Sequence, residues 1–276
     1  MRIVIAVAVV VMSSLALIPR VAEACSCIDP MQSTSLVAPA DGATDVPVNA
    51  RIWVGSGQMP PLTDEQTGQP KEPAVQLLDD QDQFVVGTQS IIQSTDGLVY
   101  VFTPAQPLGA GRTYRARANG AGIAAFTTGS GTDTEAPAVP SVVSEDSDAA
   151  PNREGPACGP SYWVRYELKT DGILTVADRD GTSTLNPEAL SGTVTSLEQG
   201  TAFQLGRNAC VDNWPGVKSG DTGQVRFGTF DLAGNFSGFS QPREATIPYG
   251  CGCSAGAAPG SALVLGLAML ARRRKR

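Results

Sequence analysis

Between residues 35 and 249 the apolar residues come in strand-length bursts, and each burst is ended by glycine, proline or an acidic turn. None of them keeps a helical period long enough to build a packed helix. A chain punctuated this way folds into short antiparallel strands, and two sheets facing each other across a shared core bury such strands best. Composition agrees, with 30 glycines and 20 prolines against 6% aromatic residues. The 42% apolar fraction is enough for packed cores and argues against wholesale disorder. The expected fold class is therefore all-β, with two antiparallel sandwiches in tandem.

The two ends differ from this body. Residues 1–24 read as a signal peptide: Arg2 supplies a positive start, Ile3–Ile18 is almost continuously apolar, and Pro19–Arg20 breaks the run. Ala22-Glu23-Ala24 then offers the small-x-small pattern that signal peptidase accepts, with cleavage before Cys25. A cysteine at the cut raises lipidation as an alternative, although Ala22 and Glu23 fit that pattern poorly. Residues 25–34 form a short N-terminal segment. At the other end, Cys251 and Cys253 lead into the low-polarity run Ala255–Ala271, which is at the short limit for a transmembrane helix. Arg272, Arg273, Arg274, Lys275 and Arg276 close the chain and would stay on the cytoplasmic side.

This tail, residues 250–276, resembles the MYXO-CTERM sorting signals of myxobacterial surface proteins in the order of its cysteines, small residues, apolar run and arginine cluster. The resemblance implies a myxosortase-like membrane protease that cuts near the cysteines, followed by attachment to envelope lipid or the outer membrane. Cleavage or retention of the apolar run both remain open. The implied address is export and then the cell surface.

Charge and composition exclude several functions. The formal net charge is -7, and the body without its ends holds 13 basic against 26 acidic residues. Such a body repels phosphate backbones, so no nucleic-acid partner is expected. The chain has no histidine. That removes Ser-His-Asp and Cys-His catalysis and the usual zinc hydrolase sites, leaving carboxylate or lysine chemistry to which nothing else points.

The first body segment, residues 35–129, opens with Pro39, an Asp41-Gly42 turn and Pro47. Strands are expected at Arg51–Val54, Leu98–Phe102, Thr113–Ala118 and Gly122–Thr127. Ala74–Leu78 and Phe84–Thr88 are expected to form a hairpin around the acidic turn Asp79–Asp82. Trp53, Leu77, Val99, Val101, Tyr114 and Phe126 are the core candidates. The stretch is similar to SbsA-type bacterial Ig-like domains, on Gly42-Ala43-Thr44-Asp45-Val46-Pro47, Phe102-Thr103-Pro104, Leu108–Tyr114 and Phe126-Thr127-Thr128. It departs from that pattern at Gly55-Ser56-Gly57.

Residues 130–140 read as a proline-stiffened linker. In the second segment, residues 141–249, Ser144–Pro156 is expected to be a mobile acidic loop. Strands follow at Tyr162–Leu168, Gly172–Asp178, Gly192–Ser196, Thr201–Leu205 and Gly223–Asp231. Tyr162, Val164, Tyr166 and Leu168 alternate onto one face. The phrase Asp231-Leu232-Ala233-Gly234-Asn235-Phe236-Ser237 resembles the closing turn of Ig-like or fibronectin type III-like surface modules.

Cys158 and Cys210 bracket the first and middle strands of this segment, and a disulfide between them is expected after export. Closing that loop would contribute about 4 kcal/mol by chain-entropy reasoning. Cys25–Cys27 and Cys251–Cys253 also fit a metal-binding reading poorly, and Asp178-Arg179-Asp180-Gly181-Thr182 lacks the acids of a complete calcium loop. No catalytic, metal or cofactor residue is assigned. The sequence reads as a non-catalytic cell-surface structural or adhesive protein with a surface protein or glycan as ligand. The rival is a secreted carbohydrate-active enzyme or glycan-binding module, which would need two carboxylates about 5–9 Å apart in a cleft.

Overall fold

The computed structural model describes residues 36–56, 75–95, 97–150, 161–207 and 217–248. Fifteen strands are described. In the first module they are β1 (Val37–Ala38), β2 (Ile52–Gly55), β3 (Val75–Leu78), β4 (Gly87–Gln93), β5 (Leu98–Pro104), β6 (Thr113–Ala118) and β7 (Ala121–Thr127). The second contributes β8 (Ser141–Ala150), β9 (Ser161–Lys169), β10 (Leu174–Arg179), β11 (Gly192–Thr193), β12 (Ser196–Glu198), β13 (Ala202–Arg207), β14 (Thr222–Phe230) and β15 (Arg243–Thr246). Each module is an antiparallel sandwich of Ig-like form. Sheet β1-β2-β5-β4 faces β3-β6-β7 in the first, and β12-β10-β14-β15 faces β13-β9-β8 in the second.

Among the described residues, three hydrophobic cores hold the fold together. Ile52, Val54, Leu77, Tyr100, Phe102, Tyr114 and Phe126 fill the first sandwich. Tyr162, Val164, Tyr166, Leu168, Phe203, Phe227 and Ile247 fill the second. The third lies between the modules, where Ala38, Trp53, Val99 and Val101 meet Leu174, Val176, Leu197 and Phe230. The pleat explains how this is possible. In β5, Tyr100 and Phe102 point into the first sandwich while Val99 and Val101 point out of it. In β14, Val225 and Phe227 point into the second sandwich and Phe230 points out. The strands β2, β5, β10 and β14 are therefore buried on both faces, and the two sandwiches stack as four layers. Each full burial of a Leu, Val or Phe side chain contributes about 1.5–3 kcal/mol before chain entropy is counted.

Backbone pairing crosses the junction as well. β11 of the second module pairs in parallel with β4 of the first, Gly192 opposite Ile92 and Thr193 opposite Gln93. Val194 N donates to Gln93 O at 2.9 Å, and Thr95 Oγ1 donates to Thr195 O at 2.9 Å. This extends the first module's sheet to five strands and covers the edge that β4 would otherwise expose.

Several expectations need correction. The hairpin around Asp79–Asp82 is only a brief contact: Leu78 bridges Phe84, but β3 pairs with β6 and β4 pairs with β5. The turn hands the chain from one sheet to the other. Of the stretch Ser144–Pro156 expected as a loop, residues 144–150 belong to the edge strand β8, paired with β9 through a bulge at Val142/Ser144, and residues 151–156 lie outside the described residues. The serines and acids of β8 resemble a loop in composition, and the neighbouring strand supplies the order. The expected transmembrane helix and Cys158–Cys210 disulfide are not supported. Among the described residues no helix is long and apolar enough to cross a membrane, and residues 250–276 lie outside them. Cys158 and Cys210 also lie outside the described residues, and the second sandwich is held by its aromatic core. There Tyr166 and Phe203 each meet the Phe227 ring edge-on, at 5.2 and 5.3 Å.

Candidate functional site

The residues singled out for processing, Ala22, Ala24, Cys25, Cys251, Cys253, Arg272, Arg273, Arg274, Lys275 and Arg276, all lie outside the described residues. Those within the fold can be followed. Trp53, Leu77, Val99, Val101, Tyr114 and Phe126 are all buried. Leu77, Tyr114 and Phe126 serve the first sandwich, whereas Trp53, Val99 and Val101 serve the core between modules.

The segment Asp178–Thr182 is a tight turn whose acids are already engaged. Asp178 is completely buried and accepts from Arg226 Nε at 2.9 Å, from Arg226 Nη2 and from Ser183 N at 2.7 Å. Burial pushes its carboxyl up, but the hydrogen bonds from Arg226 and Ser183 outweigh that and hold it below the usual carboxylate range. Asp180 and Gly181 both take positive φ, and Asp180 Oδ1 accepts from Gln224 N at 2.7 Å. Tyr166 is another buried polar group. Desolvation, and after it Glu145, push its hydroxyl up, while Arg243 lies over its ring at 5.4 Å.

The most developed polar constellation sits where the modules meet. The turn Asp231–Asn235 closes on itself: Asn235 N and Nδ2 each donate to the Asp231 carboxylate at 2.9 Å, and Gly234 takes φ +86. The turn then docks on the first module. Leu232 O accepts from Arg51 N at 2.9 Å and from Trp53 Nε1 at 3.3 Å. The linker is clamped from both sides. Asn49 Nδ2 donates to Asp133 O at 2.6 Å, Asn49 Oδ1 accepts from Asp133 N at 2.9 Å, and Asn235 Nδ2 donates to the carbonyls of Asp133 and Glu135 at 3.3 Å.

Beside this clamp lies a groove of about 280 Å³, lined by the polar Arg51, Asp133 and Asn235 and the apolar Pro104, Ala105 and Pro107 among others. Arg51 is half-buried. Its pKa is lowered by desolvation and partly restored by the charge of Asp231. Asp231 is itself pushed up by burial, with the nearby charge of Asp133 adding to the effect. Sequence reasoning placed the Asp231–Asn235 turn correctly and missed its role as the inter-module clamp. The groove draws on four separate stretches of chain, so no local motif announced it.

No family model matches the chain, and no curated protein matches it. Among solved structures it is similar to a pullulanase from Anoxybacillus sp. LM18-11 complexed with maltotriose, at 10% identity and a TM-score of 0.22, over 74% of this chain. The chain spans about a quarter of that enzyme, covering 25% of its length. It is also similar to the N-terminal Ig1-2 module of the Drosophila receptor protein tyrosine phosphatase DLAR, at 12% identity and a TM-score of 0.22, over 77% of this chain and 95% of that one. The S-layer protein rSbsC(31-844) gives 13% identity and a TM-score of 0.22, over 76% and 40% of the two chains. Superposition this loose carries no functional argument, and the fold assignment rests on the sheet topology.

Proposed function

We propose that this is a non-catalytic structural or adhesive protein of the bacterial cell surface, exported through its signal peptide and retained by its C-terminal sorting signal. The observation that carries the reading is the use to which the fold puts its strands. The central strands β2, β5, β10 and β14 are covered on both faces, so the second module stands on the first in a fixed orientation. Asp178, the fully buried acid, is tied to Arg226 and Ser183 and serves the fold. A stiff, acidic, histidine-free pair of sandwiches suits display or scaffolding at an envelope. Signal peptidase is the first processing partner, and a myxosortase-like protease acting near Cys251 and Cys253 is the second.

The test is surface biotinylation of intact producing cells, followed by intact-mass measurement of the extracted protein. Labelling together with a mass that lacks Arg272–Arg276 supports the reading. A protein protected from label, or a mature product that still carries Arg276, overturns sorting by cleavage. A lipid mass on Cys25 moves the attachment to the opposite end.

A further inference from the structure

We propose that the groove at the module junction is a binding site for a neutral saccharide. The inference rests on the adhesive reading above and gives it a ligand class. The groove is lined by both a cation and an anion, Arg51 and Asp133, and the two are not joined to each other by an ion pair. The side chain of Arg51 is half-desolvated, so its guanidinium donors have lost part of their water, and its Cδ, Nε and Cζ lie against Gly234. The two Nδ2 hydrogens of Asn235 are shared among Asp231, Asp133 and Glu135, so the polar function this side chain has to spare is its acceptor Oδ1. The groove is therefore lined by side chains that donate and side chains that accept.

Charge narrows the ligand. With Asp133 and Asp231 beside Arg51 the site has no excess positive charge to attract an anion. Among the described residues no group of three or more metal-ligating side chains exists, and a guanidinium in the groove opposes a cation. A neutral molecule that both donates and accepts hydrogen bonds fits, which is the chemistry of sugar hydroxyls. Pro104, Ala105 and Pro107 add rigid apolar surface to the lining, with Thr103 and Gln106 as polar neighbours on the same stretch. That apolar surface offers C–H groups to the face of a pyranose ring. A peptide strand is a poorer occupant, because strand addition needs an open backbone edge. The groove lies beyond the ends of β2 and β5, and both are paired on each side within their sheet. Two modules supply the groove, and their fixed stacking preorganises it.

The experiment is saturation-transfer difference NMR on the full chain with maltose, cellobiose and N,N′-diacetylchitobiose as probes and sodium acetate as an anionic control. Saturation of ring protons on at least one disaccharide and none on acetate is expected. Binding should weaken at least tenfold in Arg51→Gln. Arg51 touches the junction, so Thr134→Arg provides a second variant. Thr134 is exposed on the groove rim, and the larger side chain fills the groove without disturbing a core. The same loss is expected there, with an unchanged melting temperature. No saturation from any disaccharide overturns the proposal, as does a disaccharide that binds Thr134→Arg as well as the wild type. Surface labelling of cells is independent of both results, so failure here leaves the proposed address standing.

Discussion

Asp178 shows what a buried charge does in this fold. Its side chain has no solvent exposure, while Arg226 keeps 35% of its own and stacks over Phe239 at 4.8 Å. Replacing Asp178 with Ala strands a guanidinium in a half-closed site and should cost about 2–3 kcal/mol, less than for a fully enclosed pair. The folded-state pKa of Asp178 lies below its unfolded value. Its contribution is therefore fully present above the unfolded carboxylate pKa and is lost as pH falls through the folded one. Melting curves across the acid range should show that slope in the wild type and a flatter one in Asp178→Asn. Gly234 is a second telling residue. It takes φ +86, and an added Cβ would lie 2.7 Å from Arg51 Nε. Gly234→Ala should cost about 1–3 kcal/mol in denaturant unfolding, from backbone strain and the displaced arginine together.

Elements reveal how far the chain's pattern could be read. Tyr162, Val164, Tyr166 and Leu168 alternate in the sequence and share one buried face of β9, because β9 lies in an outer sheet with one face on the core. In β5, by contrast, Leu98–Phe102 is apolar without a break, and the unbroken run reflects burial on both sides. Period-two reasoning identifies such a strand but does not say what covers its second face. For that reason Trp53, Val99 and Val101 were legible as core while the core they belong to was not. The clamp residues Asn49, Arg51, Asp133 and Asn235 are remote in sequence and ordinary in local context, and only the fold brings them together. Trp53 gives the distinction an experimental form. It is fully buried, and its ring centroid lies 5.5 Å from that of Phe230 in the other module. Trp53→Ala should cost about 3–5 kcal/mol. Hydrogen exchange should quicken in β10 and β14 as well as in β2, whereas Leu77→Ala should act first on β3 and β6.

For the whole molecule, the core between modules turns a tandem arrangement into one thermodynamic body. Calorimetry of the full chain should give a single transition for the two sandwiches, and two well-separated transitions would count against the shared core. The linker is held by side chains of both modules at Asp133 and Glu135, while Ala136, Ala138 and Val139 just beyond are exposed to solvent. Continuity of the chain there is thus redundant for holding the halves together. A protease that nicks the backbone near Ala138 would leave two fragments bound through Trp53, Phe230 and their neighbours, and the fragments should co-elute in gel filtration and part only in denaturant. Under the proposed surface address, such a cut would not shed either half from the cell.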